Sequence, residues 1–193
     1  VVFKKMREKP RLDLDEPNEW RARPHTELHA TNDKKDRNTG KKLMDLESAD
    51  CPEGYWPIFK GESFDLWQPD KGKGSYYAWG HPEVLRPRLQ AKRVYSQNMS
   101  SSVFNECNSE WCENPDTLPC LYPRIAFRDV TRATDTRTIR CALIPPNVFI
   151  ANQAPYFVFP RGNKKDVTYL LGILSSIPLD WYSRRFVETN LTY

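Results

Sequence analysis

The stretch RIAFRDVTRATDTRTIRCALIPP, residues 124–146, constrains the chain more than any other. On one side of a polar middle, Ile125, Phe127 and Asp129 alternate with Ala126, Arg128 and Val130; on the other, Ile139, Cys141 and Leu143 alternate with Arg140, Ala142 and Ile144. A period of two is the signature of strands, so the pattern predicts strands over 124–131 and 138–145, joined at Arg132–Arg137. The connection carries an arginine at each end, with Thr134, Asp135 and Thr136 between them. Arg128 and Arg140 fall on the flanking strands.

The rest of the chain reads as short elements. NVFIANQAPYFVFP, 147–160, predicts two strands around Asn152-Gln153, and YWPIFKGESFDLW, 55–67, predicts two around Lys60-Gly61-Glu62. SYYAWG, 75–80, reads as a short buried aromatic segment. A helix opens at His81-Pro82-Glu83 and runs towards Arg93, with Pro87 as a point where it breaks. A second helix begins at Asp166 and a third at Pro178. Residues 96–120, rich in Ser, Asn and Cys, read as a long loop. Residues 1–19, with Pro10 and Pro17, read as an arm or linker, and 20–193 as one domain. Strands and helices mix without a repeating strand–helix–strand unit. The expected class is therefore α+β, a mixed sheet with hairpins and peripheral helices.

With 39% hydrophobic residues, including nine Phe, nine Tyr and six Trp, the chain has the material for a core. Its charge is uneven. Residues 121–193 hold ten Lys and Arg against five Asp and Glu, while 1–120 hold nineteen against twenty. The basic excess lies with the arginine-rich stretch; on charge alone it reads as a solvated basic face, and a polyanion partner is the sharper reading. A structural alternative is a network in which Asp129 and Asp135 pair with the arginines.

No apolar run reaches membrane-spanning length. Five cysteines, an odd number without a signal peptide ahead of them, point to reduced thiols and a cytoplasmic setting. Cys107, Cys112 and Cys120 lie close in sequence, but without the paired two-residue spacing of a zinc ribbon. His25 and His29 are four apart, yet Thr26 stands where a zincin has glutamate, and Pro24 opposes a long helix. Glycine-rich phosphate loops, dinucleotide fingerprints and nucleophile elbows are missing from the sequence. Glu62, Asp65 and Asp70, with Lys71 and Lys73, echo a metal-dependent nuclease only loosely; IPPNVF, 144–149, lacks the Asn or Asp that a methyltransferase motif places before its prolines. No catalysis, metal or cofactor is expected of this chain.

Three runs carry a family resemblance: residues 124–146, then NVFIANQAPYFVF, then YLLGILSSIPLDWYSRRFVETN. They resemble the C-terminal specificity region of bacterial restriction–modification methyltransferases, the adenine-specific enzymes with a TaqI-like target recognition domain, often fused to a nuclease. ELHATNDK, 27–34, and YWPIFKGESFDLWQPD, 55–70, are similar to segments upstream in the same group. The resemblance implies a module that grips the major groove of double-stranded DNA beside a methyltransferase core, with S-adenosylmethionine belonging to that core. It also implies that the catalytic core lies outside this chain and that the domain is truncated at its C-terminus. By resemblance, Arg128, Thr131, Arg132, Thr134, Arg137 and Thr138 match the Arg/Thr-rich family stretch, and Arg140 joins them from the strand pattern. The regularity of that stretch leaves room for positions that hold the fold or touch phosphate, and points to 96–120 for specificity. Two other readings stand beside this one: a structural or protein-interaction domain docked on the core, and the nuclease built on Glu62, Asp65 and Asp70.

Overall fold

The computed structural model describes residues 19–132 and 134–187, together with residues 4, 5, 8 and 14–16. Most of the arm expected over 1–19 therefore lies outside the described residues. The elements in order are β1 (Arg21–His25), β2 (Trp56–Phe59), β3 (Ala78–Gly80), α1 (Pro82–Gln97), α2 (Ser109–Glu113), β4 (Arg124–Phe127), β5 (Cys141–Ile144), β6 (Phe149–Ile150), β7 (Tyr156–Arg161), α3 (Lys164–Leu174) and α4 (Ile177–Ser183). Strands β1, β7, β4 and β5 form an antiparallel sheet in that order; β3, β2 and β6 form a second sheet, in which β2 and β6 run parallel. The class is α+β.

The period of two sorts the strands' side chains into layers. Ala126, Ala142, Ile144, Tyr156 and Val158 of the first sheet meet Phe59 and Ile150 of the second in a shared core. Ile125, Phe127 and Cys141 point the other way, where Leu170 of α3 and Leu179 of α4 cover them. On the outer side of the small sheet, Ile58, Ala78 and Phe149 pack against Leu85 and Leu89 of α1. The molecule is thus helix, sheet, sheet, helix. All four residues of β4 are buried, which explains why that strand sits inside its sheet.

Several elements depart from the sequence pattern, each for a local reason. β1 contains Pro24 and was not expected as a strand; it lies at the sheet edge, where a missing N–H is tolerated. Only the first half of 55–67 is a strand. There the Ser63 hydroxyl accepts from Lys60 N at 2.9 Å and donates to Ser75 O at 2.8 Å, turning the chain back before a second strand can form. α1 runs through Pro87 unbroken, because the proline is exposed while Leu85, Leu89 and Arg93 form the buried stripe opposite. The region 96–120 is built rather than loose: a 3-10 turn at Val103–Glu106, α2, then two further 3-10 turns. Asn108 and Asn114 cap its helical pieces. Buried Arg93 supplies the missing donors, bonding Thr117 O at 3.1 Å and Asn114 O at 2.8 Å, with its guanidinium 4.7 Å from the Trp111 ring centre. α3 opens on a full capping box, Asn163 with Asp166.

Glu27 and Arg124 hold the two sheets together. Both are nearly fully buried, 4% and 5% exposed. Arg124 Nη2 donates to Glu27 Oε1 at 2.9 Å and to Val148 O at 3.0 Å, and Nη1 to Pro119 O at 3.1 Å. The second carboxylate oxygen accepts from Ile150 N at 2.9 Å. Removing one member leaves the other charged and unpaired, so Glu27→Ala is expected to cost about 3–5 kcal/mol in urea unfolding. Adding Arg124→Met to it should return part of that loss. His25 stands beside this pair, edge-on to Phe104 and Tyr156. Burial, helped by the charge of Lys92, pushes its pKa down from 6.5 to about 4. Between those two values the unfolded chain holds a proton that the folded chain does not, so stability falls as pH drops through that window. Thermal unfolding of His25→Gln is expected to show a flatter pH dependence there.

Candidate nucleic-acid interface

The hairpin forms, with Phe127 opposite Cys141 and Arg124 opposite Ile144, but its paired part is four residues on each arm rather than the eight expected. One further backbone bond, Arg128 N to Arg140 O at 2.9 Å, closes the base of a long loop over 128–140. That loop is fixed from outside. Asp180 of α4 accepts from Thr138 N and Ile139 N, both at 2.8 Å, and its carboxylate lies 3.4 Å from Arg137 Nε and 3.6 Å from Arg184 Nη2. Arg184 reaches back into the loop, donating to Thr138 Oγ1 at 3.2 Å, Asp135 O at 2.8 Å and Thr136 O at 3.0 Å.

This bracing divides the seven candidate residues. Thr131 and Thr138 are 1% and 0% exposed. Arg137 is turned inward, donating to Ser175 O at 2.8 Å as well as facing Asp180. Arg140 pairs with Asp65 at 3.4 Å. These four hold the loop's shape. Arg128 and Arg132 have no hydrogen bond or ion pair from their guanidiniums among the described residues, and Arg132 and Thr134 are exposed.

A second loop, between β2 and β3, shares this end of the molecule. Gly61 passes so close that a Cβ there would lie 2.8 Å from Arg128 Cγ and 2.9 Å from Gln153 O, so only glycine fits. Lys60 pairs with Glu62 at 2.8 Å and, with the charges of Arg128 and Lys71 adding to its effect, holds that carboxyl below its usual range. Lys60, Lys71 and Arg128 therefore gather round a single acid. Asp129 has no hydrogen bond from its carboxylate among the described residues, and burial pushes its carboxyl up.

The other candidates are dispersed. Glu62 faces Lys60, Asp65 faces Arg140, and Asp70 accepts from Gly72 N at 2.7 Å and Tyr76 OH at 2.8 Å. His29 is exposed and accepts from Thr31 N and Asn32 N, away from half-buried His25. Burial pushes the thiols of Cys107 and Cys120 up to about 12, disfavouring the thiolate a metal would need. Among the described residues no three of His, Cys, Asp or Glu are placed to share a metal ion. No helix among them is long and apolar enough to cross a membrane. A cleft of about 330 Å³, lined by Trp111, Tyr122, Arg124, Phe157 and Phe159, lies at the opposite end of β4 from the loop.

Sequence reasoning missed Lys60 and Asp180 and met Lys71 only in the loose nuclease echo. Asp180 lies 42 residues from Thr138, and no local signal links them. Asp180→Ala would strand two buried amides and cost at least about 2 kcal/mol. Hydrogen exchange at the Thr138 and Ile139 amides is expected to accelerate in that variant, and much less in Asp180→Asn, which keeps the acceptor. Compared with family models, curated proteins and solved structures, the chain finds no match.

Proposed function

We propose that the chain is a double-stranded DNA recognition module that meets the duplex with the loops over 60–73 and 128–140, and that it serves a modification methyltransferase whose core carries both the chemistry and the S-adenosylmethionine. The observation that carries the reading is the state of Arg128 and Arg132. Neither guanidinium makes a hydrogen bond or ion pair to a described residue, and Asp180 and Arg184 brace the loop beside them. A preformed loop has little ordering entropy left to lose on binding. Arginine's planar fork suits paired hydrogen bonds to guanine O6 and N7 or to phosphate. The exposed Thr134 hydroxyl adds a donor and acceptor, while Lys71 brings positive charge from the second loop. Under this reading Thr131, Arg137, Thr138 and Arg140 shape the interface from behind. The family resemblance of 124–190 supports the methyltransferase as the parent activity.

A second reading has one observation in its favour. Tyr169, Ile173, Ile177 and Trp181 of α3 and α4 are exposed, an apolar surface suited to docking on a protein such as the methyltransferase core. Salt dependence separates the two. Duplex binding, followed by anisotropy of a labelled mixed-sequence oligonucleotide, is expected to weaken steeply with rising salt as counterions are released. Arg128→Ala and Arg132→Ala should each weaken binding and lower the salt slope by about one where the lost contact is to phosphate. Arg140→Ala should act mainly on stability. Unchanged affinity in both of the first two variants would move the assignment away from this loop.

A further inference from the structure

One tight turn displays an aromatic ring in a backbone conformation such residues seldom adopt. Asp65 and Gln68 face each other, each donating its N–H to the other's carbonyl at 2.9 Å, so that Leu66 and Trp67 alone fill the turn. Trp67 has φ 62°, the left-handed region in which glycine or asparagine is the usual occupant. The turn is pinned on both sides of the ring. Leu66 packs into the cluster beneath α3, and Asp65 is tied to Arg140 of the neighbouring loop at 3.4 Å. Trp67 itself stands 74% exposed and makes no hydrogen bond or ring contact to another described residue.

With most of its surface still in water, this indole contributes little burial to the fold, while the left-handed backbone costs stability; strain of this kind gathers where a partner uses the residue. The surroundings name the partner's chemistry. Lys60, Lys71 and Arg128 gather on Glu62 in the same loop, and Arg132 projects from the loop to which the turn is tied. An exposed flat apolar ring on a loop that also carries Lys60, Lys71 and Lys73, tied to the arginine-bearing loop, fits a polyanion that also offers flat apolar faces, which is a nucleic acid.

We propose that Trp67 stacks on a base of the bound DNA, wedging into the duplex at an easily unstacked pyrimidine–purine step while Lys71, Arg128 and Arg132 hold the neighbouring phosphates. This rests on the DNA-binding reading above and adds the residue that deforms or reads the stack. Trp67→Ala is expected to weaken binding to a labelled mixed-sequence duplex by about 5- to 100-fold, the range of a lost base–aromatic stack. The salt slope should stay as in the wild type, because no phosphate contact is lost. Trp67→Phe should keep most of the affinity. Trp67→Gly should bind as weakly as Trp67→Ala yet melt at a higher temperature than the wild type, since glycine carries no strain at this φ. Duplex should also quench a component of the tryptophan emission that is absent from Trp67→Phe. A Trp67→Ala protein that binds duplex as tightly as the wild type, with wild-type salt dependence, would overturn this inference and leave the DNA-binding reading standing. A wild-type protein that binds no duplex at low salt would overturn both.

Discussion

The architecture turns on one buried charge pair. Glu27, just past the edge strand β1, meets Arg124 at the start of β4, and between them they satisfy backbone groups of residues 119, 148 and 150. Both carboxylate oxygens and both terminal guanidinium nitrogens are hydrogen-bonded, which offsets much of the cost of taking the charges out of water, although the buried Arg124 Nε has no partner. The pair also fixes direction. It stands where the inner faces of two differently organised sheets meet, and it sets how the small parallel pairing of β2 and β6 sits against the antiparallel one. Apolar contacts alone would tolerate sliding between two such layers; a directional set of hydrogen bonds running from Glu27 to Arg124 and Ile150 does not.

From that frame the interface follows. β4 and β5 leave the core side by side, and their loop emerges at the end of the molecule where the β2–β3 loop also turns. Gly61 allows the two loops to touch, Asp65 ties one to the other, and Asp180 with Arg184 fastens the longer loop to the last helix. Arginine plays two parts here. Arg93, Arg124, Arg137 and Arg184 bond carbonyls and carboxylates inside the molecule, while the guanidiniums of Arg128 and Arg132 make no hydrogen bond or ion pair to a described residue.

That division shows what a sequence can carry. The alternation over 124–127 and 141–144 and the proline starts of α1 and α4 are local signals, and they were legible; the start of α3 was placed at Asp166, two residues late, because that residue is the third of a capping box opened by Asn163. β1 was not, because Pro24 speaks against a strand until an edge position is known. The helical pieces of 96–120 were not, because they lean on Arg93 from another element. For the candidate loop, the connection between the two strands was legible, and which of its arginines turn inward was not. Arg132 and Arg137 are symmetric ends of one polar run, and only Asp180 and Ser175, far along the chain, draw one of them inward.

The pairing of β1 with β7 bears on how the protein is made. Arg21 faces Arg161, and Glu27 waits for partners at 124 and 150. At ordinary rates of synthesis those partners follow on the order of ten seconds later. Until then the ribosome carries an unmatched edge strand and an unpaired carboxylate, so the two-sheet core closes late and as one event. Contacts so distant along the chain make for slow folding. Nascent chains halted before β7 should be the ones that chaperones hold longest.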